Sequence, residues 1–221
     1  MYIFCCAKEK GCNMIIDNND LVNSILESLS RINHIKAEDI PDINLYMDQL
    51  TTLMNSKLSH TTRYPGVDKV LTKTMINNYA KNDLLPPPIR KKYSKEHVFL
   101  LIFIYYYKGI LSINDIQTLL GPITDKYFGN DKKVTLQDIY EEVFSMEAEE
   151  VEALKEDVQK KYAMTQDTFS EVKGKDAEFL RQFSFICMLS YDVYVKKMII
   201  EKMIDGMRKS EEKSGKTNKK E

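Results

Sequence analysis

The chain of 221 residues has no tryptophan, eight glycines, six prolines and a formal net charge of −1. With so little glycine it shows neither a phosphate-cradling glycine loop nor a nucleophile elbow. The near-zero net charge excludes an argument from overall charge, so any signal for a polyanionic partner has to be local. The longest strongly apolar run, residues 98–107, is about half of the roughly 20 residues that span a bilayer. The N-terminus also lacks a basic region followed by an apolar core and a small-residue cleavage site. These absences predict a cytoplasmic protein without a membrane partner. Four cysteines make no disulfide framework, because Cys5, Cys6 and Cys12 crowd the first dozen residues and Cys187 stands alone. Their spacing also departs from that of structural zinc sites. Residues 1–20 are expected to be a flexible extension, with Met14 an alternative start, and Cys187 a small buried hydrophobe.

What is present is a composition, 43% hydrophobic and 29% charged, that belongs to globular proteins. Helical spacing of Leu21, Val22, Ile25, Leu26, Leu29 and Ile32 predicts a first short helix. Beyond Pro41 a second is expected over 42–58, burying Ile43, Tyr46, Met47, Leu50, Leu53, Met54 and Leu58. Residues 59–66 read as a loop. Thr72 is placed to cap a short helix whose Met75, Ile76 and Tyr79 face inward, leaving Lys73, Thr74, Asn77, Asn78 and Lys81 on other faces. Pro86, Pro87 and Pro88 then forbid helix and impose extended backbone.

Ser94 is expected to cap an apolar helix through Tyr107, ended by Lys108 and Gly109. Ser112 with Asp115 approximates a capping box for a helix through Leu120, stopped by Gly121 and Pro122. The composition turns acidic and helical over 136–161, and residues 175–209 form the longest helical candidate. Two domains are therefore expected, 21–122 and 133–209, with a disordered polar tail over 210–221. The helix over 175–209 is too apolar for a solitary surface helix and is the candidate dimerisation element.

Few residues invite chemistry. His34, His60 and His97 lie in separate segments without a second histidine one turn away, so no catalytic or metal site is assigned and no cofactor is expected. The tyrosines 105–107 read as core packing, and the acidic run over 147–157 as a solvated face. Local charge is the exception. Arg63, Lys69, Lys73, Lys81, Arg90, Lys91, Lys92 and Lys95 stand against only Asp68 and Asp83 between residues 63 and 95, the footprint of a phosphate-binding face. The short capped helix would offer Thr72, Lys73, Thr74, Asn77 and Asn78 to base edges and phosphates, with a basic wing at Arg90, Lys91, Lys92 and Tyr93 beside it.

Leu71, Thr72, Lys73, Thr74, Met75, Ile76, Asn77, Asn78 and Tyr79, followed by Leu84 to Pro88, Lys92 to Val98 and Gly109 to Leu120, resemble a MerR-type winged helix-turn-helix over about residues 40–122. Asn77 and Asn78 depart from that pattern, which carries an arginine and a tyrosine there, and Lys92 replaces an arginine. The N-terminal half also resembles the bacterial family catalogued as domain of unknown function 1836, notably at Ile40 to Ile43, 71–79, Pro86 to Pro88, Lys92 to His97 and 111–120.

The combined expectation is a mainly helical protein, all-α with a small β wing: a winged helix-turn-helix followed by a C-terminal helical domain. The resemblance implies a cytoplasmic DNA-binding transcriptional regulator, not an enzyme, with Thr72, Lys73, Thr74, Asn77, Asn78, Tyr79, Arg90, Lys91, Lys92 and Tyr93 at double-stranded DNA. A short recognition helix needs two copies for affinity, so a homodimer is expected through the C-terminal helices. An unidentified effector or protein partner could occupy the second domain. The alternative is a protein-interaction module that keeps the winged-helix scaffold without reading DNA. A DNA reader would keep its cations on one face uninterrupted by Asp68, Asp83 or Glu96.

Overall fold

In the computed structural model the described residues are 18–29, 35–130 and 132–217. They are mostly helical with one small antiparallel sheet. The described residues divide into two compact units, one holding residues 18–29 and the other those from 35 onward. In the first, α1 (Asn18–Leu29) is a single amphipathic helix. The expected extension and Cys5, Cys6 and Cys12 lie outside the described residues.

The second unit runs β1 (Leu45–Tyr46), α2 (Met47–Leu58), α3 (Lys73–Lys81), β2 (Lys92–Tyr93), α4 (Lys95–Tyr107), α5 (Ile113–Tyr127), α6 (Leu136–Gln166) and α7 (Lys175–Thr217). Its centre is α4, where every residue from His97 to Ile104 is buried. A helix that is apolar on all sides has no amphipathic period because it meets neighbours on all sides. On one side lie Leu50, Met54 and Leu58 of α2 with Ile76 and Tyr79 of α3. On another, α6 stacks its first turns on α4: Tyr140 lies 4.5 Å from Phe99 and Phe144 lies 5.5 Å from Phe103, centroid to centroid. The Tyr140 hydroxyl donates to the Ile35 carbonyl, so the one polar atom on that ring is satisfied inside the core. Each such aliphatic or aromatic side chain contributes about 1.5–3 kcal/mol through removal from water.

Several elements differ from the pattern in the sequence. Residues 42–46 are not helical: Leu45 and Tyr46 pair with Tyr93 and Lys92, and α2 begins only at Met47. Ile43 and Tyr46 are accordingly exposed rather than buried. Gly121 and Pro122 do not stop α5, which continues to Tyr127 with Pro122 inside it. Leu120, Ile123, Tyr127 and Phe128 pack on the core, and that burial offsets the roughly 3 kcal/mol cost of an internal proline. At its far end α7 extends beyond Lys209 through Thr217. It docks on α6 through Tyr162 and Phe185 and on α5 through Arg208, which donates to Asp115 at 2.7 Å and to the Thr118 hydroxyl at 3.0 Å. The first half of α7 keeps an apolar face in solvent, and Cys187 is exposed on it rather than buried.

Candidate nucleic-acid interface

Helix α3 forms where the sequence places it because its ends are closed locally. The Thr72 hydroxyl accepts the Met75 N–H at 3.2 Å. At the other end Asp83 takes a left-handed conformation, φ 53°. There the Leu84 N–H reaches the Tyr79 carbonyl at 2.9 Å and the Asp83 N–H reaches that of Ala80 at 3.4 Å, the double bond of a Schellman C-cap. Tyr79 and Leu84, both buried, supply the hydrophobic contact that accompanies such a cap. The buried arc is Ile76 and Tyr79; Lys73, Thr74, Asn77, Asn78 and Lys81 are exposed. Their spacing puts them on one side of the helix, two turns long.

The segment entering α3 is held from both sides. Val70 donates its N–H to the Asn55 carbonyl oxygen Oδ1 at 3.2 Å, and its own carbonyl accepts from Lys108 Nζ at 2.7 Å. Burial pushes the Lys108 ammonium below the ordinary lysine pKa.

The basic run after the prolines forms a two-residue hairpin turn. Ile89 and Lys92 exchange N–H to carbonyl hydrogen bonds at 3.1 and 3.0 Å, and between them Arg90 and Lys91 have φ 52° and 64°. Positive φ at both central residues is the signature of a type I′ turn, which normally selects Asn-Gly because a side chain there is strained. Two cations occupy it here, and both are exposed.

Helix α2 connects α3 to this hairpin. Asp48 in its first turn pairs with Lys73, while Lys92 lies over the ring of Tyr46, 5.0 Å from its centroid. The Lys73 pair is solvent-exposed on both sides, and such pairs contribute no more than about 1 kcal/mol, leaving the ammonium free to exchange partners. The nearby acids are mostly engaged: Asp68 accepts the Tyr64 N–H at 3.0 Å, Glu96 the Gly129 N–H at 2.9 Å and Asp42 the Lys95 ammonium at 2.8 Å. Asp83 is exposed.

Of the ten residues expected at DNA, Lys73, Thr74, Asn77, Asn78, Arg90 and Lys91 are exposed and Thr72 and Lys92 are half-buried. Tyr79 and Tyr93 are core side chains whose burial raises their pKa values; they hold α3 and β2 in place from beneath. Sequence reasoning left out Tyr46 and Ile89, both exposed beside Lys92, because only strand pairing brings Tyr46 to the hairpin.

His97 locks the base of the hairpin to α4. Its Nδ1 accepts the Ser94 N–H at 2.9 Å and lies 2.8 Å from the Ser94 hydroxyl, closing a capping box with histidine in the usual Glu or Gln place. Accepting at Nδ1 puts the neutral ring's proton on Nε2, which faces the Pro86 and Pro87 carbonyls without completing a hydrogen bond. Tyr93 and Phe128 meet the ring edge-on at 5.4 and 4.8 Å. Burial lowers its pKa, opposed by the two proline carbonyls.

Among the described residues no group of three or more His, Cys, Asp or Glu side chains could hold a metal ion, and no helix is long and apolar enough to cross a membrane. No curated protein and no solved structure matches the chain. Residues 35–143, the stretch from the Ile35 carbonyl bonded by Tyr140 to the first turns of α6, match the family described as Domain of unknown function (DUF1836), in agreement with the resemblance read from the sequence.

Proposed function

We propose that this protein is a cytoplasmic DNA-binding transcription regulator whose residues 40–122 act as a MerR-like winged helix-turn-helix. In this reading α2 and α3 are the helix pair and the hairpin at Arg90 and Lys91 is the wing. Residues 133–209 form a second functional region. The observation that carries it is the position of the start of α2, which lies beside Lys73 at the start of α3 through Asp48 in its first turn and beside Lys92 of the hairpin through Tyr46, the β1 residue that precedes it. A helix face presenting Lys73, Thr74, Asn77 and Asn78 is thereby set next to a basic turn, which is the division of labour between base readout and phosphate positioning. Thr74, Asn77 and Asn78 would face base edges; Thr72, Lys73, Arg90, Lys91 and Lys92 would hold the backbone.

A homodimer through α7 belongs to the same reading. Phe179, Phe183, Ile186 and Val193 are exposed at alternating four- and three-residue steps, with Ser190 completing the series, the spacing of a seam that packs against a second helix. A contiguous apolar face of this kind marks an interaction site.

The test is fluorescence anisotropy of the full chain with its own upstream DNA and with a scrambled duplex, each at two salt concentrations. Preferential, salt-sensitive binding is expected, with Lys73→Ala lowering the slope of log affinity against log salt by about one and Asn77→Ala changing sequence preference. A folded protein that binds neither duplex would instead be an interaction module on the same scaffold.

A further inference from the structure

We propose that His97 is an acid-sensitive latch on the basic hairpin: its neutral ring holds the hairpin closed at Ser94, and a proton taken from solvent releases it. The latch belongs to the hairpin itself; its effect on duplex affinity rests on the DNA-binding reading above.

The hairpin is closed by few bonds. Leu45 and Tyr46 pair with Tyr93 and Lys92, Ile89 and Lys92 exchange their backbone bonds across the turn, and Ser94 follows directly on the last paired residue. Against these stands the turn, where Arg90 and Lys91 keep φ at 52° and 64°, a conformation that costs non-glycine residues stability. Opening the hairpin relieves that cost, so a single contact at its base weighs heavily in keeping it shut. That contact is made by a side chain only 1% exposed. His97 Nδ1 accepts the Ser94 N–H at 2.9 Å, which only an unprotonated nitrogen can do. Tyr93 of β2 and Phe128 at the end of α5 meet the ring edge-on, and the carbonyls of Pro86 and Pro87 face it from the proline run. Nε2 is buried and has no hydrogen-bond partner among the described residues.

One proton reverses this chemistry. Added at Nδ1, it sets an N–H donor against the Ser94 N–H, and the bond that closed the capping box is lost. The Ser94 hydroxyl, 2.8 Å away, can accept the new N–H but leaves the displaced backbone donor unpaired. The imidazolium is also a buried cation without a counter-ion. Of the charged groups around it, Glu96 in the same helical turn accepts the Gly129 N–H beside Phe128, Lys95 is paired with Asp42, and Lys92 lies over the Tyr46 ring. Tyr93, the titratable ring in contact with it, has its pKa raised by burial and stays neutral. Keeping an uncompensated cation inside is costly, and moving it to water withdraws the ring from between Tyr93 and Phe128 and frees the hairpin base. In the open form the imidazole has its ordinary pKa near 6.5. Opening therefore becomes about tenfold more favourable for each pH unit below about 6.5, until the pKa of the closed form is reached.

The experiment follows amide hydrogen exchange by NMR in the full chain from about pH 7.5 to about pH 5.5, the range in which an ordinary histidine titrates. It compares the unaltered protein with His97→Gln, which keeps an acceptor for the Ser94 N–H and does not titrate. Relative to an unstructured chain, the Ile89 and Lys92 amides of the unaltered protein should lose protection about tenfold per pH unit below about 6.5, with Leu100 and Leu101 in the middle of α4 better protected throughout. His97→Gln should show no such loss. If that variant does not fold, Arg90→Asn combined with Lys91→Gly serves instead: with the strain relieved, hairpin protection at the acid end should be about tenfold higher than in the unaltered protein. Hairpin protection that is independent of pH, that falls equally in His97→Gln, or that falls only together with that of α4 overturns the latch. Duplex affinity at constant ionic strength should follow the same pH profile in the unaltered protein and not in His97→Gln; an affinity that ignores pH while the hairpin opens overturns the latch as a control on binding. If the unaltered protein binds no duplex, the DNA-binding reading fails and amide exchange still decides the latch.

Discussion

Lys108 at the end of α4 donates to the carbonyl of Val70 at 2.7 Å, three residues before α3 begins. The same ammonium lies 4.6 Å from the centroid of the Tyr105 ring, whose hydroxyl is 2.5 Å from the Thr61 hydroxyl in the preceding loop. The long connection between α2 and α3 is thus anchored to α4 at two points, and the orientation of α3 depends on a lysine that faces no ligand.

Lys108→Met keeps the length of the side chain and removes its donor. Leaving the buried Val70 carbonyl without this bond should cost about 1–3 kcal/mol, read as a lower denaturant midpoint. Duplex affinity should fall while its salt slope stays the same, because the slope counts phosphate contacts and Lys108 makes none.

Arg90→Asn combined with Lys91→Gly places the preferred residues in the type I′ turn. Relief of strain at two positions should raise stability by about 1–2 kcal/mol. The same change should lower the salt slope by about two. A protein that becomes more stable and binds DNA less well would separate the conformational role of this turn from its electrostatic one.

His97 sets a pH dependence of stability. Burial holds its pKa below the ordinary value near 6.5, so on acidification the unfolded chain takes up a proton that the folded protein excludes. Stability is then complete above about pH 6.5 and falls as the pH drops below it, with a limiting slope of about 1.4 kcal/mol per pH unit for one proton, until the folded-state pKa is reached. His97→Gln keeps an acceptor for the Ser94 N–H, as in the ordinary capping box, and should flatten this region in urea melts taken across the pH range.

Asp substitutions at Ile186 and Val193 test the α7 seam. Both side chains are exposed, so the fold of the chain should be unaffected, and far-ultraviolet circular dichroism should not change. Sedimentation equilibrium should show a dimer for the unaltered protein and a monomer for the doubly substituted one, because two buried carboxylates facing two more across the interface are strongly unfavourable.

Much of the helical framework was legible because its signals are local. Thr72, Ser94 and Ser112 each cap the helix that follows them, through atoms at most three residues away, and the proline run forbids helix whatever surrounds it. The family match over residues 35–143 takes in every segment, from Ile40 to Ile43 through 111–120, on which the resemblance to that family of unknown function was read. Pro122 shows where local reasoning stops: as a local signal it ends a helix, but Leu120, Ile123 and Tyr127 bury enough surface to carry α5 past it.

By itself the sequence determined most of the helical segments, where most of them are capped, and that positive charge gathers between residues 63 and 95. Helical spacing also placed Lys73 and Lys81 on the outward side of α3, but only the tertiary structure decided what stands beside the basic hairpin. The pairing of Tyr46 with Lys92 spans more than forty positions, and the bond from Lys108 to Val70 spans 38. Such contacts leave no periodicity, because each is a single meeting of distant chain segments rather than a repeated preference. The burial of Tyr93 and the exposure of Tyr46 and Ile89 follow from those meetings: a side chain's local propensity is the same on either face of a two-residue strand, and only what packs against that face separates core from surface.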